Sequence, residues 1–196
     1  MSCFSRLPFS YSIFDLTHLS LLGMMNFHGE LYMTLDPEQL RRAMRAWTTG
    51  VAIVTSIYED QQYGMTVNSF TSISLDPPLI CVTLRRLTHT HDLVVKSGMF
   101  SITILTAAQK ELSDRFAGKL PNIVNRFDGV QTETISLDAP VFKDGMAYFD
   151  CQVVNSMPFG ENTLFIAEVV DARGEGVGEP LVYHNREFWR LTEKIP

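Results

Sequence analysis

The most constraining feature of this chain is a change of hydrophobic period around Gly50. Upstream, Leu40, Ala43, Met44 and Trp47 recur at i, i+3, i+4 and i+7, the spacing of one buried helix face, with Arg41, Arg42 and Arg45 largely off it. Asp36 suits the N-cap, Pro37 the first helical position and Gln39 the third, and Gly50 is expected to end the helix. From Val51 the run VAIVTSIY is β-branched and continuous, as in a strand. The polar EDQQ marks a turn, YGMTVNSFTSISL at 63–75 resumes as a second strand, and LICVTLR follows Pro77 and Pro78 as a third.

The rest repeats this alternation. THDLVVKSG suits a short helix and MFSITIL a fourth strand, while Thr106 and Gln109 form a capping signature before the helix AAQKELSDRFA, with Gly118 at its end. GVQTETIS at 129–136, MAYFDCQVVNSM and TLFIAEVVDAR read as strands, and PLVYHNREFWRL as a hairpin. Consecutive strands with helices at few crossings predict a mainly β (α+β) antiparallel domain, not a doubly wound sheet.

A chain of 196 residues suits one domain. Residues 34–196 carry the patterned elements. Residues 1–33 are rich in Ser, Phe and Leu without clear period, and are expected to be an N-terminal extension, loosely ordered or preceding a start at Met25 or Met33. Sixteen basic against 22 acidic side chains give a net charge of −6, which argues against a nucleic-acid binder. Any anion must then be held by a local basic cluster. Cys3, Cys81 and Cys151 lack metal or disulfide spacing, so a cytoplasmic protein is expected, with Cys81 and Cys151 as core residues. No segment has the roughly 20 apolar residues of a membrane helix.

Chemistry-bearing motifs narrow the field further. G-x-G-x-x-G, P-loop, G-x-S-x-G and H-E-x-x-H patterns are missing, and His89 with His91 does not make a metal site. The strand TVNSFTSIS concentrates Thr66, Asn68, Ser69, Thr71, Ser72 and Ser74; a half-exposed strand and an edge that bonds a polar heteroaromatic ring both satisfy that pattern. LRRLTHTHD favours the second. Arg85, Arg86, Thr88, His89 and Thr90 stand just before a helix start, where cations, hydroxyls and first-turn N–H groups suit a phosphate.

These segments carry a resemblance. WTTGVAIVT at 47–55, GMTVNSFTSISLDPPLI at 64–80, SGMFSITIL, QKELSDRFA, RFDGV, MAYFDCQVV and PLVYH occur in the order found in the flavin reductase-like family of FMN-binding split barrels. That resemblance implies a six-stranded antiparallel Greek-key split β-barrel with peripheral helices, a homodimer, and NADH- or NADPH-dependent reduction of FMN or FAD for a partner flavin-dependent monooxygenase. It places Thr66, Val67, Asn68 and Ser69 at the flavin ring and ribityl chain. Leu84, Arg85, Arg86, Leu87, Thr88, His89 and Thr90 would take the phosphate end, and Phe100, Ser101 and Arg126 would add contacts. No acid, base or nucleophile of the protein is required, because hydride passes between two cofactors. One departure stands out: Asn162 occupies the nicotinamide-side position where the family commonly has His, and an amide cannot titrate near neutral pH. Two other readings use the same barrel, an enzyme that keeps FMN and acts directly on an organic substrate, and a non-enzymatic flavin or haem carrier.

Overall fold

Two strands adjacent in sequence lie at opposite edges of the main sheet, and this fixes its shape. In the computed structural model, which describes residues 35–174, 178–193 and 195, that sheet contains β2 (Ala52–Tyr58), β3 (Gln61–Val67), β4 (Thr71–Leu75), β5 (Pro78–Arg85), β6 (Met99–Ile104), β9 (Ala147–Phe159) and β10 (Asn162–Arg173). Its order is β3-β2-β6-β9-β10-β5-β4, antiparallel throughout. Flat, seven strands would separate β3 from β4 by about 29 Å at roughly 4.8 Å per step. The connection from Val67 to Thr71 spans at most about 14 Å. The sheet therefore curls until its two edges approach, forming a split barrel.

The main sheet holds seven strands where six were expected, and the cause of the added one is local. The single strand expected over 63–75 breaks at residues 68–70, sending β3 to pair with β2 and β4 to pair with β5. A second correction concerns 129–136, where only β7 (Thr132–Glu133) forms, paired with β8 (Val141–Phe142). The N–H groups of Ser136 and Leu137 instead donate to Oδ2 of the buried Asp150, at 2.8 and 2.6 Å, which turns that backbone away from a ladder.

The remaining elements are β1 (Thr49–Gly50), α2 (His89–Ser97), a 3-10 turn (Ala107–Gln109), α3 (Lys110–Phe116), and the hairpin β11 (Val182–His184) and β12 (Glu187–Trp189). The expected capping box at Thr106 and Gln109 is present, and α2 ends at Gly98 with φ 69°. The expected tight turns also form: Glu59 and Asp60, and Asn185 and Arg186, all take positive φ, as two-residue hairpins of type I′ require.

Because β2 has core on both faces, its apolar run is continuous. Ala52 and Val54 join Val82, Leu84, Phe100, Ile102 and Phe165, while Val51 and Ile53 join Leu105, Phe116, Phe127 and Phe142. Cys151 lies in the first cluster, where burial, then the Asp150 charge, pushes its thiol up to about 12.

Helix α1 (Pro37–Met44) stands outside this account. The Asp36 side chain caps it, accepting from Glu38 N–H at 3.0 Å. None of its residues is buried, so the expected core face is corrected: Leu40, Met44 and Trp47 are 51, 55 and 68% exposed. Nor does Gly50 end it, since Thr49 and Gly50 pair with Tyr183 and Val182 and take the chain into β1. The extension expected at 1–33 lies outside the described residues. Among those residues no helix is long and apolar enough to cross a membrane.

Candidate functional site

One face of β3 organises the site, since side chains two apart point the same way. Tyr63 stacks on His89, ring centroids 4.5 Å apart and planes 20° from parallel. Two residues on, Met65 Sδ lies 3.9 Å from Thr88 Oγ1. A further two on, Val67 lines a groove with Thr49, Gly50, Val51, Ala52, Asn68, Phe70 and Ile104. The basic turn and the groove are thus strung along one strand.

The turn gathers cations, a hydroxyl and a helix N-terminus, groups whose chemistry suits an anion. Thr88 caps α2, accepting from His91 N–H at 3.3 Å while its own hydroxyl donates to Arg85 O at 2.8 Å. Residues 89 and 90 open the helix, where N–H groups have no intrahelical acceptor. Arg85, Arg86 and His89 are exposed at that end, and Leu87 takes φ 62° with its side chain fully outside the core.

The hairpin joining β9 to β10 closes against this turn. Gly160, at φ 55°, takes the first central position, which lets two residues reverse the chain. Arg86 N–H donates to Glu161 O at 2.8 Å and Arg86 Nη1 to Gly160 O at 3.4 Å, while Glu161 Oε2 lies 3.3 Å from Arg85 Nη2. Asn162 is exposed and stands opposite Arg85 in the ladder. Next to it, Thr163 Oγ1 meets His91 Nε2 at 2.9 Å, fastening α2 to the same hairpin.

Several residues expected to touch a ligand are occupied elsewhere. Leu84, Thr90, Phe100 and Ser101 are buried, and their side chains belong to the interior. Ser101 Oγ lies 2.5 Å from Asp150 Oδ1, because β6 is a central strand covered on both faces. Arg126 donates through Nη1 to Phe116 O at 3.0 Å, a carbonyl at the end of α3, and to Gly64 O at 3.5 Å. Thr66 donates to Ser113 O at 2.7 Å, and Ser69 bridges Thr83 O and N at 2.8 and 3.2 Å, so both hydroxyls fasten strand ends. What remains accessible is Asn68, Arg85, Arg86, Leu87, Thr88 and His89, with Val67 at the groove. The Asn68 amide makes no hydrogen bond within the described residues.

Sequence reasoning assigned no place in the site to Thr49 and Gly50, Tyr63 or Glu161. The first pair lies inside WTTGV, and Thr49 Oγ1 is buried beside the groove without a hydrogen-bond partner among the described residues. Glu161 carried a signal too, as the only acidic side chain in the hairpin that faces the two arginines.

Comparison with known proteins agrees with this architecture. The family model for the flavin reductase like domain matches residues 44–192. The NADH-dependent flavin reductase StyB of Pseudomonas fluorescens is 33% identical over 148 residues, 74% of this chain and 83% of that protein. The FMN reductase (NADH) SmoA of Agrobacterium fabrum is 31% identical, over 91% of this chain and all of that protein. Among solved structures, the NADH:FAD oxidoreductase SgcE6 of Streptomyces globisporus superposes with a TM-score of 0.75 at 30% identity, covering 84% of this chain and 98% of that one. With its split barrel, its helix-capped basic turn and a match that runs from Met44 to Thr192, the chain belongs to the flavin reductase-like domain family.

Proposed function

We propose that this chain is a flavin reductase that uses NADH to reduce FMN or FAD and supplies the reduced flavin to a separate monooxygenase. The observation that carries this reading is the exposed Arg85–Thr88 turn at the start of α2, in line along β3 with a groove that offers an unpaired amide at Asn68. Relatives whose names give NADH as donor and FMN as substrate support the same assignment. The monooxygenase partner is suggested by relatives named as reductase subunits or components of such enzymes.

The residues present fit a flavin nucleotide. Asn68 can donate to and accept from the edge of a heteroaromatic ring, and Thr49 Oγ1 beside it lacks a partner among the described residues. Arg85, Arg86 and the capped end of α2 suit its phosphate. When bound, the flavin supplies the hydride-accepting chemistry, and the protein's task is to hold two rings together and keep water away. Val67, Phe70 and Ile104 give the groove its apolar wall. Asn162, beside Arg85, is the nicotinamide-side group, one that hydrogen-bonds without titrating. The reading also takes residues 34–196 as the catalytic domain, with 1–33 as an extension, acting as a homodimer in the cytoplasm.

The test is steady-state oxidation of NADH and NADPH with FMN, FAD or riboflavin added to desalted protein. Turnover that requires added flavin is expected, with NADH as the better donor. No flavin-dependent oxidation with either donor would sink the reading, and a retained yellow chromophore that turns over an organic substrate would favour a flavin-bound oxidoreductase.

A further inference from the structure

The anion turn is already answered by a carboxylate of this same chain. Glu161 Oε2 lies 3.3 Å from Arg85 Nη2, the two side chains being 80 and 67% exposed. An ion pair that open to water is weakly held by its charges alone. Its backbone is held firmly: Arg86 N–H donates to Glu161 O at 2.8 Å, and Asn162 pairs with Arg85 in the β5–β10 ladder. Glu161 can therefore swing its side chain but cannot leave the neighbourhood of the arginines.

We propose that Glu161 is an intramolecular competitor for the flavin phosphate, a specificity-determining residue that sets how tightly phosphate-bearing flavins are held. It rests on the phosphate role given above to the turn. With no nucleotide in place the carboxylate neutralises Arg85. A phosphate entering the turn must displace it and then lie close to a like charge, so binding of the phosphate is weakened while binding of the ring is untouched. A reductase that hands its product to another enzyme must release it, and a phosphate clamp opposed by its own carboxylate favours release. Arg86 is spared, because among the described residues its guanidinium reaches only the Gly160 carbonyl, so attraction is reduced and not abolished.

The experiment measures dissociation constants of FMN and riboflavin by flavin fluorescence for the full chain and for Glu161→Gln, Arg85→Ala, the double variant and Arg86→Ala. At low salt, E161Q is expected to tighten FMN about three- to tenfold and to leave riboflavin within about twofold, with the gain fading near about 0.5 M salt as screening takes over. In the Arg85→Ala background the gain should vanish, since a freed Arg85 is its source. Equal tightening of both flavins, or a gain that persists without Arg85, overturns the proposal. So does unchanged FMN affinity in E161Q while Arg86→Ala still weakens FMN more than riboflavin, a result that leaves the phosphate turn standing. If Arg86→Ala affects both flavins equally, the turn itself is misassigned and the proposal falls with it. With riboflavin as acceptor, a change in the KM for NADH and none in FMN affinity would give the turn to the dinucleotide and overturn it as well.

Discussion

Two pairs of cations sit on this domain in opposite circumstances. Lys110 and Lys119 converge on one carboxylate, Asp114, at 2.6 and 2.8 Å, and that carboxylate is only 16% exposed. Both ammonium groups also lie over the Phe188 ring, 5.3 and 4.9 Å from its centroid, so they fasten β12 onto α3. Behind them Phe116 packs edge-on against Phe127 and Phe142, at 5.1 and 4.7 Å. Arg85 and Arg86 have instead one exposed carboxylate and one carbonyl between them, at distances beyond 3.2 Å. Cations whose donors are spent on half-buried partners fasten one element to another. Cations left half-answered in water are available to a ligand.

The widest separation between the two regions should appear in stability. Phe116 is 1% exposed at the centre of the aromatic cluster, so Phe116→Ala is expected to cost about 3–5 kcal/mol in urea denaturation. Arg86→Ala should stay within about 0.5 kcal/mol of the parent, as surface substitutions do. A comparable loss from both would erase the distinction between a structural and a ligand-facing region.

Binding should separate them the other way. Arg86→Ala is expected to weaken FMN about tenfold, the worth of one charge-assisted contact, and riboflavin by less than about twofold. Fluorescence titration of both flavins decides it. If the two weaken together, the guanidinium acts on the ring or on the fold, and the contrast with the lysine pair is lost.

Local signals carried much of this in the sequence. The short helix α2, the Thr106 capping box, the strand at β2 and the basic turn all depend on neighbours within four residues or on period, and all are found where expected. The break at 68–70 was hidden, because N-S-F-T-S is compatible with a strand throughout. It is set by partners remote in sequence, with Ser69 fastened to Thr83 while β3 and β4 pair at opposite edges. Arg126 was hidden for the same reason, being claimed by carbonyls of Phe116 and Gly64. The burial of Leu84 was readable: Ile80, Val82 and Leu84 alternate along β5, which places the Leu84 side chain on the core face. Phe100 and Ser101 were readable in part, since a continuous MFSITI run signals a strand buried on both sides.

The smallest expected effect concerns Asp114 and has a definite sign. Burial raises its pKa, but the hydrogen bonds and charges of Lys110 and Lys119 outweigh that and hold the carboxyl below its ordinary value. A carboxyl whose pKa is lower in the folded chain adds stability that is fully present above its unfolded value of about 3.9 and is lost as pH falls through the folded value. Asp114→Asn should therefore cost about 0.5–1 kcal/mol at neutral pH, a modest figure because both lysines are more than half exposed. In acid, once the parent carboxyl is protonated, the two proteins should unfold at the same urea concentration. A gap that persists unchanged in acid would assign the cost to lost packing and not to charge. FMN affinity should be the same in both proteins, since this carboxylate serves α3 and the C-terminal hairpin. If it shifts, the lysine pair and the arginine pair are coupled through α3 and β3, where Thr66 donates to Ser113 O.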